Sequence, residues 1–295
     1  MNTVISPIAG CMRWGKWGAN FSTYDYEVII NQCVENGITA FDHADIYGDY
    51  TTEADFGEAI KHKHTLRSKI QLITKCGIQI VCDNRPHHQI KSYNTTKQHI
   101  IKSVEQSLRN FHTDYLDVFL IHRPNPLLNP KEVAEAITQL KEQGKVLQFG
   151  VSNFLPQQVE ALKNDVEISY NQFELSIVHL NPFKDGTLDN CLQNNIRPMA
   201  WSPLGGGVLS EDEHPRFRSI FSTAQQLAEK YDTGMNQILI AFLLKHPTHI
   251  LPVVGTTKIE RLLQVKEAST VMLENEDWFK LYIASAYAGD YNELP

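Results

Sequence analysis

Four residues that together can hand a proton to a carbonyl oxygen stand at the ends of three short apolar runs. Asp42 and Tyr47 lie in Phe41-Asp42-His43-Ala44-Asp45-Ile46-Tyr47-Gly48. Lys75 lies in Leu72-Ile73-Thr74-Lys75-Cys76-Gly77, and His122 in Phe119-Leu120-Ile121-His122-Arg123-Pro124. Hydride addition to a carbonyl builds negative charge on oxygen, which calls for a proton donor and a polarising group. Tyr47 is the candidate acid. A free phenol titrates near pKa ~10, and an ammonium from Lys75 beside it is expected to lower that value. Asp42 would keep Lys75 charged and in place, and His122 would orient the carbonyl oxygen. Each residue alone has a plainer reading: a turn at Tyr47-Gly48, a capping carboxylate at Asp42, a strand exit at Lys75, a core histidine at His122. Their joint occurrence, in this order, carries the functional reading.

Such residues meet only if neighbouring strands deliver them to one end of a sheet. Apolar runs near Ile5–Gly10, Thr39–Phe41, Ile70–Thr74, Leu116–Ile121, Leu147–Val151, Ile168–Tyr170, Ile196–Trp201 and Ile250–Val254 predict eight strands. Helical periodicity predicts helices at Tyr24–Glu35, Glu53–Lys61, Lys97–Arg109, Pro130–Gln143, Pro156–Lys163, Gly186–Asn194, Thr223–Tyr231, Asn236–Lys245 and Lys258–Glu267. This alternation fits a doubly wound sheet or a closed barrel. No Gly-x-Gly-x-x-Gly fingerprint follows the first strand, whereas eight β/α units in 295 residues match the size of a (β/α)8 TIM barrel. No domain boundary is readable, so residues 1–295 are expected to form a single domain. The pattern-free stretch Ile78–Thr96 is expected to be a long loop after the third strand.

These residues resemble the aldo-keto reductase superfamily along nearly the whole chain. The matching pieces are Phe41-Asp42 with Tyr47-Gly48, Ile73-Thr74-Lys75, Asp114-Tyr115-Leu116-Asp117 and Leu120-Ile121-His122. Further along come Gly150-Val151-Ser152-Asn153-Phe154, Tyr170-Asn171-Gln172, Ser202-Pro203-Leu204-Gly205-Gly206-Gly207 and Val254-Gly255-Thr256-Thr257-Lys258. The resemblance implies a barrel that binds NADPH (NADP+) without a Rossmann fold and reduces a small carbonyl substrate reversibly. It places Ser152, Asn153 and Gln172 on the nicotinamide carboxamide and Trp201 against the ring. Ser202, Leu204 and Gly206 would border the pyrophosphate, since a run of glycines lets backbone amides come close. Gly255, Thr256, Thr257 and Lys258 would meet the adenosine phosphate at a helix N-terminus, with Arg261 on the 2′-phosphate and Gln264 near adenine. Many relatives carry lysine where this chain has Gly255, and Lys258 is the candidate substitute. The alternative within the same fold is a nucleotide-binding regulatory subunit without physiological turnover. A metal-dependent barrel aldolase ranks third.

Composition narrows the classes. The formal charge of −7 argues against nucleic acid and anionic membranes as partners. Five scattered cysteines without zinc spacing predict free thiols and a cytoplasmic location. Neither a signal peptide nor a membrane span is readable. His62, His64, His87, His88 and His99 lack ligand spacing, so no metal is expected. The chain is expected to be a monomer or weak homo-oligomer. Met12, Arg13, Trp14 and Trp17 should approach the pocket mouth, and Trp278, Tyr282, Tyr287 and Tyr291 should cover the barrel or pack a closing helix.

Overall fold

The computed structural model describes residues 6–210 and 215–286. Ile5, Tyr287 and Tyr291 lie outside them. Eight parallel strands close on themselves in chain order: β1 (Ile8–Gly10), β2 (Ala40–Asp42), β3 (Gln71–Cys76), β4 (Leu116–Ile121), β5 (Val146–Ser152), β6 (Tyr170–Glu174), β7 (Arg197–Trp201) and β8 (Leu251–Val254). Each is short, and most are apolar because both faces are covered, the inner by the barrel lumen and the outer by helices. Ten principal helices surround it: α1 (Thr23–Glu35), α2 (Thr52–Ile60), α3 (Lys97–Phe111), α4 (Pro130–Glu142), α5 (Pro156–Lys163), α6 (Thr187–Gln193), α7 (Pro215–Lys230), α8 (Met235–Leu244), α9 (Ile259–Glu267) and α10 (Asn275–Ala286).

Side-chain alternation along the strands makes two cores. Ile8, Ile73, Val118, Leu120, Met199 and Val253 fill the lumen, and a larger layer joins the outer strand faces to the helices. β3 shows the consequence for the site. Ile73 points inward, Thr74 points out to bond Glu53 on α2 at 2.6 Å, and Lys75 points inward one layer above Ile73. The register pairs Asp42 with Ile73 and Lys75 with Leu120, so Asp42 lies level with Ile73 and Lys75 stands one inward layer above it. Glu53 also accepts from Ser107 (2.9 Å) and Asn110 (2.9 Å) of α3, which fastens α2 directly behind the loop that carries Tyr47.

Several sequence expectations shift. β3 runs on through Cys76, so Lys75 lies within the strand and not at an exit to solvent. β6 occupies Tyr170–Glu174, later than the apolar run at Ile168–Tyr170, because Asn171 and Gln172 are buried strand residues despite their polarity. The loop after β3 is not pattern-free: Ile78–Gln79 and Ser92–Tyr93 pair as an antiparallel ribbon. α7 starts at Pro215, eight residues before the predicted start at Thr223. α10 is the closing helix, where Trp278 stacks between Phe242 of α8 (4.7 Å) and Tyr282 (5.3 Å).

Gly57 marks the tightest helix contact. A Cβ there would lie 1.8 Å from the carbonyl oxygen of Asn110, where α2 crosses the end of α3. Alanine normally favours an exposed helix over glycine by about 1 kcal/mol. At this position Gly57→Ala should instead destabilise by about 1–3 kcal/mol through overpacking, read as a lowered urea midpoint with unchanged slope.

Candidate active site

The lumen ends, on the side of the strand C-termini, in a buried charge pair. Lys75 is fully buried, and its Nζ donates to both carboxylate oxygens of Asp42 (2.8 and 2.9 Å) and to the backbone carbonyl of His43 (2.6 Å). Its remaining direction points to the phenol of Tyr47, 3.4 Å from Nζ. Asp42 receives a further bond at 2.8 Å from Nε2 of Gln172, reaching across the barrel from β6. His122 follows β4, its backbone N–H held by the carbonyl of Cys76, and its ring meets Tyr47 edge-on with centroids 6.1 Å apart. All four sequence candidates therefore converge on one point.

The electrostatics follow from burial. Desolvation would lower Lys75, but the charges of Asp42 and Tyr47 outweigh it and hold the ammonium above the usual lysine value. Burial raises the Tyr47 phenol against the opposing pull of Lys75. The expectation of a lowered phenol is thus reversed, because burial outweighs the neighbouring cation. Burial, then Lys75, Arg123 and Lys91, push His122 well below the ordinary imidazole range, so its ring is neutral at pH 7. Its Nδ1 is buried without a hydrogen-bond partner. His43, by contrast, lies edge-on between Phe56 and Phe111, and burial takes it down to about 3. It packs, and only its backbone carbonyl reaches Lys75.

The cofactor candidates form an arc from β5 to α9. Asn153 adopts φ 60° just beyond β5, its amide nitrogen donating to Ser152 Oγ (2.7 Å) and its oxygen accepting from the Trp201 indole (3.2 Å). Gln172 is tied to Asp42, so it connects the carboxamide candidates to the ion pair, a link no local pattern announces. Ser202 takes φ 51°, Leu204 is half-buried, and Gly205, Gly206 and Gly207 are all left-handed. A Cβ on Gly206, Gly207 or Gly255 would meet nothing within 4 Å, so the backbone here borders open space. Thr256 is buried and its Oγ1 accepts from the Lys258 amide, while Thr257 is half-buried. Lys258 caps α9, and Arg261 and Gln264 follow on its exposed face. Unpartnered Nδ1 of His122, an indole edge anchored by Asn153 and an open glycine-lined rim fit a bound nicotinamide dinucleotide. Among the described residues no group of three or more His, Cys, Asp or Glu could hold a metal ion.

One expectation at the pocket mouth changes. Trp14 is not at the mouth: it is fully buried among Phe21, Tyr26, Phe41 and Phe56, its indole donating to the Thr256 carbonyl at 2.7 Å. Trp17 does reach the site, 6.1 Å from Tyr47 between ring centroids. Arg123, half-buried beside His122 and 5.8 Å from the Trp201 ring, adds a cation that sequence reading passed over. Its adjacency to His122 was the available signal.

The description "Aldo/keto reductase family" matches residues 8–285, and the chain belongs to that family of NAD(P)H-dependent oxidoreductases. It is 44% identical over 282 residues to "Uncharacterized oxidoreductase YcsN" of Bacillus subtilis, covering 94% of this chain and 93% of that one. It is 38% identical to a "6-dehydroglucose reductase" of Agrobacterium fabrum, covering 91% and 92%. A crystal structure of a thermostable aldo-keto reductase with the inhibitor epalrestat superposes with a TM-score of 0.78 at 26% identity, covering 94% of each chain.

Lys75→Met removes the cation paired with Asp42 inside the lumen. The orphaned carboxylate should cost about 3–5 kcal/mol of stability. Adding Asp42→Asn should recover a large part of that loss, measured by urea unfolding of the single and double variants.

Proposed function

We propose that this protein reduces aldehydes or ketones to alcohols with NADPH, reversibly, and that Tyr47 is the general acid. The observation that supports the reading most is the phenol of Tyr47 at 3.4 Å from a fully buried, carboxylate-neutralised Lys75, with the neutral His122 ring beside it. When bound, reduced nicotinamide supplies the hydride. The chain's own residues do the rest. His122 donates a hydrogen bond to the carbonyl oxygen and orients it. Tyr47 delivers its proton to the same oxygen as charge develops there, and Lys75 stabilises the phenolate left behind. Asp42 and Gln172 keep the ammonium in place through that transfer.

Ser152, Asn153 and Gln172 are proposed to hold the carboxamide, and Trp201 the ring face. Ser202, Leu204 and Gly206 would flank the pyrophosphate. Thr256, Thr257 and Lys258 would bind at the amide end of α9, with Arg261 on the 2′-phosphate and Gln264 near adenine; a guanidinium suits a phosphate there. NADPH is therefore favoured over NADH. All five cysteines are free thiols, which suits a reducing compartment. Two relatives bear the name "6-dehydroglucose reductase", so a sugar aldehyde belongs in the substrate panel beside simple aldehydes.

Absorbance of NADPH with that panel tests the reading. Tyr47→Phe should lose about 10²- to 10⁴-fold in kcat while still quenching its tryptophan fluorescence with NADPH. Near-normal turnover in that variant defeats the acid assignment. Absence of turnover in the wild type, with NADPH binding intact, moves the protein to the regulatory class.

The pH dependence has a definite sign. A raised Tyr47 phenol stays protonated, and a lowered His122 stays neutral, throughout the neutral range. Reductive kcat should hold level from about pH 6 to 9, and alcohol oxidation, which needs the phenolate, should rise with pH. A reductive profile that breaks near pH ~6.5, the free histidine value, contradicts the neutral imidazole.

A further inference from the structure

Directly after Tyr47 the backbone is left-handed at three successive residues: Gly48 (φ 60°), Asp49 (φ 58°) and Tyr50 (φ 71°). Glycine accepts this freely, whereas the two residues with a Cβ are strained and persist only if their surroundings hold them. Their side chains show what does. Asp49 accepts from Lys16 Nζ at 2.6 Å and from the Trp17 indole at 2.9 Å, and its backbone carbonyl accepts from Asn84 at 2.7 Å. The Tyr50 hydroxyl accepts from the Ile80 amide at 3.2 Å, and the Arg85 guanidinium lies 4.2 Å over its ring. Loops that follow β1, β2 and β3 are thus tied together at two residues next to the candidate proton donor.

The brace has a product at the site. Trp17, Tyr50 and Ile80 pack on a small apolar cluster of Ala44, Ile46, Tyr47 and Ile78, separate from the main core. Trp17 stands 6.1 Å from Tyr47 at an interplanar angle of 57°. An indole on a surface loop turns about two side-chain bonds. One whose N–H is bonded to a carboxylate, itself paired with Lys16, is held in a single orientation. Bonds from Lys16 and Trp17 keep the Asp49 carboxyl below the usual range, so the anchor is charged at neutral pH.

We propose that Asp49 is a positioning residue that holds the Trp17 indole against Tyr47 as the wall on which the apolar part of the carbonyl substrate packs. The proposal rests on the reductase reading and names what that site selects: aldehydes or ketones with a flat or bulky apolar group beyond the carbonyl. Asp49 touches neither the reacting atoms nor the ion pair; it acts through Trp17.

Wild type, Asp49→Ala, Asp49→Asn and Lys16→Met would be compared with NADPH on benzaldehyde and on propanal, which is too small to reach the wall. Asp49→Ala should raise KM for benzaldehyde about tenfold, the scale of one lost charge-assisted hydrogen bond. Its kcat should stay within about threefold, and its KM for propanal should be unchanged. Asp49→Asn keeps an acceptor for the indole and should recover most of the loss; Lys16→Met should show a smaller defect of the same kind. The emission contributed by Trp17, taken as the difference between matched chains with and without Trp17→Phe, should move to longer wavelength in Asp49→Ala. Unchanged Trp17 emission, or equal effects on both aldehydes, overturns the proposal. If the wild type turns over neither aldehyde, nor any other carbonyl, the reductase reading fails and takes the substrate wall with it, while the Trp17 emission still decides whether Asp49 holds the indole.

Discussion

A lysine ammonium with no exposure to water is the constraint around which the upper half of this barrel is arranged. Burying such a charge is tolerated only with a counter-charge and enough acceptors to replace its water shell. Asp42, the carbonyl of His43 and the phenol of Tyr47 supply them, from β2 and the loop that follows it. Lys75 arrives from β3, and Gln172 closes the set from the far side of the lumen. Moving β3 by one residue would turn Lys75 outward and Thr74 inward, so strand register and charge neutralisation are one requirement seen twice. The same requirement turns one side of the ammonium toward the phenol, 3.4 Å away.

Around this rigid centre the chain changes character. Below it, the lumen is filled by aliphatic side chains, and behind it Glu53 ties α2 to α3 and β3 through buried hydrogen bonds. Beyond it, the arc from Asn153 to Ser202 and the glycines at 205–207 uses left-handed backbone, and a Cβ added at Gly206 or Gly207 would meet nothing within 4 Å. Among the described residues, four of the nine non-glycine positions with positive φ, Asp49, Tyr50, Asn153 and Ser202, lie on that rim or just after Tyr47. The cations that would meet an anionic cofactor, Lys258 and Arg261, sit exposed on a chain whose overall charge is negative. Their attraction is therefore local, effective over a few ångströms and not a long-range field.

The barrel was legible because its signals are local and repeated. Apolar runs recur at each β/α unit, Gly37 and Gly144 follow two of the helices, and the helices start and stop close to those predicted where a side-chain cap is present, as at Ser22 for α1 and Asn129 for α4. Reading failed where polar residues were buried. Asn171 and Gln172 lie past the apolar run in sequence, yet both are strand residues of β6: Gln172 meets Asp42, 130 positions away, across the lumen, and Asn171 faces the other way and donates to the Phe154 carbonyl. Trp14 resembles a pocket aromatic by position and is instead core, since three rings from α1, β2 and α2 close over it.

Residue types and order along the chain were enough to determine the fold class and the family and to single out four side chains that the fold brings together, because these depend on periodicity and on identity at each strand end. The tertiary structure alone decided the protonation tendencies, with burial outweighing the cation at Tyr47 and neutralising His122, and it alone joined Gln172 to Asp42 and Asp49 to Trp17. Those properties are set by distances and by exclusion of water between segments far apart in the chain, and neither quantity is written in any local stretch of residues.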